Sequence, residues 1–274
     1  FSKKLSGEYS TLYLSFLSWV AIAITNVPVS LWLGEPQLVP SFHLVWLWAL
    51  VVLGPWIAVE GYGVPSIWIL AAVGILSNGP HLASTWSRVY LDGNERWRRP
   101  FHYWVVPALI AAAVAGFVAT QGRKSDVLFS IVFYWAFWHF LSQNWGLIRI
   151  YQRKQGDIAG FDARLERAVL YLGAFAPFAW RLAHGPTKMF GARVIHPAFP
   201  HWAPHVVGLL AAGAATLYLA RLVVRAREGR AIAWIRPVFL VACAFGFFVP
   251  FVLIRKSGSA AFFAAAAWHG LQDV

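Results

Sequence analysis

The sequence predicts an all-α fold, a polytopic transmembrane helix bundle of about eight to nine spans, and three observations carry that prediction. Of the 274 residues, 59% are hydrophobic and only 12% charged, about half the charged fraction of a typical soluble domain. The apolar residues fall in runs of roughly 20, the length that carries an α-helix across about 30 Å of hydrocarbon. Lys and Arg outnumber Asp and Glu by 23 to 11, and nearly all of these cations sit at the ends of the apolar runs, where they meet anionic headgroups and set topology. In a soluble chain such an excess would suggest nucleic acid. Placed between apolar runs, it points to a lipid bilayer as partner and away from nucleic acid. The whole chain, 1–274, reads as a single integral membrane domain, expected in a bacterial inner membrane.

Nine candidate spans follow one another at about 10–33, 41–62, 65–87, 101–120, 127–148, 166–184, 203–224, 236–254 and 258–274. The first holds Asn26 and Pro28 in a long apolar stretch, without a short apolar core and small-residue cleavage site, so it reads as a retained helix rather than a signal peptide. Alternating the spans puts the loops around 88–99, 149–167 and 221–236 on one side, where they hold 14 of the 23 cations. That side is cytoplasmic by the positive-inside rule. RVYLDGNERWRRP and GLIRIYQRK are then topogenic connections, and Arg88, Asp92, Glu95 and Arg149 form a candidate gate of paired charges. Glu60, near the opposite end of the second span, is a candidate for a proton path. The runs Ala111–Ala113 and Ala264–Ala267 would let helices approach closely. Trp86, Trp97, Trp104, Trp202 and Trp234 lie near predicted interfaces, as aromatic belts do.

Ionisable residues inside a bilayer are costly, and their positions point to function. Three histidines fall inside spans: His81 in the third, His139 in the fifth and His269 in the ninth. At 1.5 Å per residue they lie roughly 10 Å, 15 Å and 14 Å from the cytoplasmic boundary. The three helices run in the same direction, so the imidazoles share one slab of the membrane. His102 opens the fourth span and His43 the second, near the same face, which makes a set of four or five metal-ligating histidines geometrically possible. Each deep histidine has an amide or hydroxyl one turn further on: Thr85, Gln143 and Gln272. Residues at that spacing share a helix face and could line a cofactor cavity, accepting a ring N–H or positioning a bound water or dioxygen.

A set of imidazoles without thiolates suits non-haem iron first, with copper, zinc or haem as alternatives. The single cysteine, Cys243, lies in an apolar run and excludes disulfides and thiolate-ligated clusters within the chain. A second group, His184, His196, His201 and His205, falls on the non-cytoplasmic side among Pro186, Pro197, Pro200 and Pro204. HWAPH has HxxxH spacing, but Pro204 begins a helix more readily than it sits inside one, so an ordinary interfacial loop is expected there. All lysines lie near span boundaries, which excludes a retinal Schiff base, and GxxxxGK[ST], HExxH and GxSxG are absent.

Single histidines on separate transmembrane helices, His81, His139, His269 and a fourth from His102 or His43, without desaturase-type boxes, resemble the arrangement in the bacterial Brp/Blh membrane carotene dioxygenases. The resemblance implies an all-helical bundle holding non-haem iron through four histidines and cleaving a carotenoid with O₂. The first functional expectation is therefore an O₂-dependent oxidoreductase, a non-haem metal oxygenase acting on a lipophilic small molecule such as a carotenoid, quinone or lipid. Phe133, Trp135, Phe137 and Trp138 are its candidate substrate wall. Two alternatives stay open: a non-catalytic subunit of a larger electron-transfer or photosynthetic membrane complex that binds haem or pigment, and a transporter.

Overall fold

The computed structural model describes residues 49–79, 81, 97–121, 126–156, 160–189 and 191–271. Among them the regular structure is helical apart from one two-residue-per-strand hairpin, β1 (Lys188–Met189) against β2 (Ala192–Arg193). The helices are α1 (Ala49–Gly61), α2 (Ser66–Asn78), α3 (Phe101–Thr120), α4 (Asp126–Lys154), α5 (Phe161–His184), α6 (Ala203–Arg227), α7 (Ile235–Leu253) and α8 (Gly258–Leu271). Of these, α3, α6 and α7 are long and apolar enough to cross a membrane, while α1 and α2 are shorter apolar helices. The expected first span lies outside the described residues.

Local sequence accounts for the breaks. Between α1 and α2 the backbone turns at Gly63, whose φ of 67° is a left-handed conformation that a residue without Cβ adopts freely. Pro65 follows at the cap of α2, where its missing N–H is no loss. The span expected at 127–148 continues to Lys154, and the one expected at 166–184 begins at Phe161. Polar bonding where the two helices extend past the expected bounds supports the extension. Glu166 on α5 is 1% exposed and Gln152 on α4 is fully buried. Gln152 Nε2 donates to Glu166 Oε2 at 2.7 Å, Tyr218 on α6 donates to Oε1 at 3.2 Å, and Arg236 on α7 lies 3.4 Å away. One carboxylate thus ties four helices. Beside it, Asp162 accepts from Arg221 at 2.9 Å and Arg225 at 2.8 Å, and the Arg221 hydrogen bond leads in holding its carboxyl below the usual range.

At the other end, the turn from α7 to α8 is clasped from two sides. The buried Arg181 of α5 donates to the carbonyls of Pro250, at 2.8 Å, and of Ile254. Glu60 Oε1 accepts the backbone N–H groups of Arg255 and Lys256 at 2.6 and 2.7 Å. Glu60 is thus engaged in holding this turn.

The core has two parts, joined by α8. Phe133, Phe137, Phe178, Phe247 and Phe251 stack together between α4, α5 and α7. Val59, Ile69 and Val73 of α1 and α2 pack on Ala260, Ala261, Ala264 and Ala267 of α8, while Ala265 and Ala266 face the phenylalanines. Methyl side chains let α8 lie close to neighbours on both sides.

Candidate metal centre

The packing of α8 determines which histidines meet. Ser77 on α2 is buried and donates to the carbonyl of Ala267 at 2.8 Å, pinning α2 to α8 one turn from His81 and two residues from His269. Next to this bond, a Cβ on Gly270 would collide with Ser77 Oγ and stand 2.9 Å from Asn78 Oδ1. Only glycine allows so close an approach at this point. A π-helical turn, Gly74–Asn78, immediately precedes His81, and such widened turns recur where a helix re-aims a functional side chain.

His269 is central. Its ring meets His81 edge-on at a centroid distance of 4.9 Å and His139 at 4.8 Å, with interplanar angles of 72° and 73°. Below, it lies against Phe140 at 4.4 Å. His139 in turn stacks on Trp135, one turn earlier in α4, at 5.1 Å and 2°. One ligand atom from each of the three histidines lies within 4.8 Å of the others. An ion bound by imidazole nitrogens at about 2.0–2.1 Å holds them about 3.3 Å apart when tetrahedral, with ring centroids near 5 Å. The His81–His269 and His139–His269 ring spacings are close to that geometry, and ligand atoms now within 4.8 Å of one another would draw together on binding. His269 is 3% exposed, and neither of its ring nitrogens has a hydrogen-bond partner among the described residues. A buried polar atom left unsatisfied costs about 1–3 kcal/mol. A shared ion would engage one of these nitrogens, so the residues present fit a metal, and the all-imidazole donor set suits iron, copper or zinc.

The remaining sequence candidates are distributed differently. His102 is exposed on the π-helical turn that opens α3, with its ring against Phe101 at 5.9 Å, and is not part of the trio. Gln143 is half-buried one turn beyond His139. His43, Thr85 and Gln272 lie outside the described residues. The expected aromatic wall divides. Phe133 and Phe137 belong to the phenylalanine core, while Trp135 shares the His139 side of α4. Phe137 and Trp138 border an open, aromatic-lined cavity of about 730 Å³ with Tyr134, Leu141 and Tyr171. At 100° per residue that cavity faces the side of α4 opposite His139 and Gln143, so it is separate from the trio.

Sequence reasoning missed the buried Glu166 cluster. An acid placed at the start of a predicted span, five residues past Phe161, was the available signal. Asn144, one residue beyond Gln143, is fully buried, accepts from the Cys243 thiol at 3.2 Å and donates to the Phe140 carbonyl at 2.9 Å. Comparison with protein-family models, with curated proteins and with solved structures finds no match to this chain. The site therefore has to be interpreted from its own chemistry.

Proposed function

We propose that this chain is an integral membrane metalloprotein of eight or nine spans in which His81, His139 and His269 hold a metal ion, iron foremost, for O₂-dependent oxidation of a lipophilic substrate. The convergence of three imidazoles from three helices around the unsatisfied ring of His269 carries this reading. A membrane setting is supported by α3 and α6, whose apolar stretches leave almost no residue buried against the protein. Helices apolar on all sides belong to a core or a bilayer. With the basic loops on the cytoplasmic side, the bacterial inner membrane is the natural location.

A histidine-ligated iron would supply activation of O₂. The chain's own residues do the rest. Phe140 lies against the buried His269 ring and keeps water from it. Trp135 is 63% exposed on the outer surface of α4 and stacks on His139, which makes it the residue a carotenoid or other isoprenoid would meet when approaching from lipid. The Brp/Blh resemblance implies a fourth histidine from His102 or His43; His102 stands exposed and apart from the trio, which leaves His43 as the candidate.

Ring geometry favours a bare ion over haem. Two imidazoles bound on opposite faces of haem place their centroids about 6 Å apart with the macrocycle between them. Here His269 meets His81 and His139 edge to face at 4.8–4.9 Å, too close for a plane between either pair. The test is elemental analysis with an ultraviolet–visible spectrum on detergent-purified protein. Stoichiometric iron or copper without a Soret band is expected, followed by oxygen uptake with an added carotenoid. A Soret or chlorophyll band would replace this reading with that of an electron-transfer or photosynthetic subunit. Absence of both metal and pigment would leave packing or transport as the role of the histidines.

A further inference from the structure

The opposite end of the bundle carries a second convergence of histidines, independent of the buried trio. His184 ends α5 and His201 lies just before α6, yet the proline-rich return between them brings His201 Nδ1 to 3.3 Å from His184 Nε2. Their ring centroids are 5.0 Å apart. Pro204 falls in the first turn of α6, where a missing N–H costs nothing, so the HxxxH segment folds without a break. His205 occupies that same turn and directs Nδ1 to the carbonyl of His201 at 3.0 Å. A carbonyl only accepts, so Nδ1 carries the proton and Nε2 the lone pair, the tautomer that ligating histidines adopt when their other nitrogen is held by a backbone oxygen. Trp180 braces the group, stacking on His184 at 4.1 Å and meeting His205 edge-on at 5.7 Å.

The 3.3 Å separation exceeds the 2.7–3.2 Å usual for an N–H hydrogen bond. It equals the spacing, about 3.3 Å, of two nitrogens on one tetrahedral ion at 2.0–2.1 Å. We propose that His184 Nε2 and His201 Nδ1 form an exposed divalent-cation site, closed by His205 Nε2. The His205 ring stands 6.3 Å from that of His184, wider than the roughly 5 Å of two rings sharing one ion, so His205 joins only when its side chain moves toward the pair. Imidazoles without a carboxylate select Cu²⁺ or Zn²⁺ over Mg²⁺ or Ca²⁺. His196, whose Nδ1 is given to the carbonyl of Pro197 at 3.0 Å, is outside the set and serves as a control.

The test is a Cu²⁺ titration of the detergent-purified full chain, read by electron paramagnetic resonance, on wild type and on H184A, H201A, H205A, H196A and H139A. Expected is a signal with splitting from two or three nitrogens that EDTA strips readily. H184A and H201A should each weaken it at least about tenfold, H205A should weaken it less, and H196A and H139A should leave it intact. All three proposed ligands are exposed, so the variants should keep the wild-type melting midpoint. Splitting from a single nitrogen, or wild-type binding by H184A and H201A, would overturn the proposal. Retention in H139A separates this site from the buried one.

Discussion

Helices α3 and α8 look alike as strings of letters and behave oppositely in the fold. Both are apolar, and both contain a run of alanines, Ala111–Ala113 in one and Ala264–Ala267 in the other. In α3 the alanines stand exposed beside Leu109 and Ile110, which are 60% and 59% exposed. In α8, Ala264 to Ala267 are at most 3% exposed and lie between two halves of the core. Hydropathy registers only that a segment avoids water. Whether it meets lipid or protein depends on what the neighbouring elements offer, and α8 is enclosed because small side chains, Gly270 and the Ser77 bond let other helices close on it.

The sharpest test of the enclosed region is its buried charge. Replacing Glu166 by Ala removes the carboxylate that faces the buried Arg236 and bonds Gln152 and Tyr218, and is expected to cost about 3–5 kcal/mol, read as a collapse of the melting midpoint in detergent. A negligible effect would mean that the four helices it ties are held mainly by their other contacts. Next comes the ligand set, with H139A expected to lower metal affinity by more than about 100-fold while the midpoint stays near wild type. Retained stoichiometric metal would remove His139 from the site. The comparison itself is tested by one substitution made twice: A265L should destabilise by about 1–3 kcal/mol through overpacking, whereas A112L should stay within about 0.5 kcal/mol. Equal effects would erase the distinction between the two helices.

The smallest expected effect belongs to Asp162, a partly solvated ion pair worth at most about 1 kcal/mol. Its folded-state pKa is depressed, chiefly by the Arg221 hydrogen bond. Its contribution is therefore complete above the ordinary aspartate value of about 3.9 and is lost as pH falls through the lower folded-state value. D162N should flatten the acid limb of a midpoint-against-pH curve below about pH 4. An unchanged acid limb would assign that loss to other carboxylates.

Much of this architecture is legible in the chain. The α3 boundaries follow directly from the apolar run between Pro100 and the charged residues Arg123 and Lys124. Helix rise places His81, His139 and His269 at one depth, and the structure brings those three together. Depth is a property of one helix at a time, since it needs only a rise per residue and a boundary. Rotation about the helix axis and choice of neighbour are not, and so His102, close to the same boundary in sequence, stands exposed against Phe101 instead. For the same reason Phe137 and Trp138 adjoin His139 in sequence yet line a cavity across α4 from it.

By itself, then, the sequence determined helical structure, the apolar runs and the connections in which charge collects, because these depend on local periodicity and transfer free energy. Only the tertiary structure decided that α8 lies enclosed, that Glu166 ties four helices, and that His201 comes back onto His184. Those outcomes depend on contacts between residues far apart in the chain, which no single helix specifies.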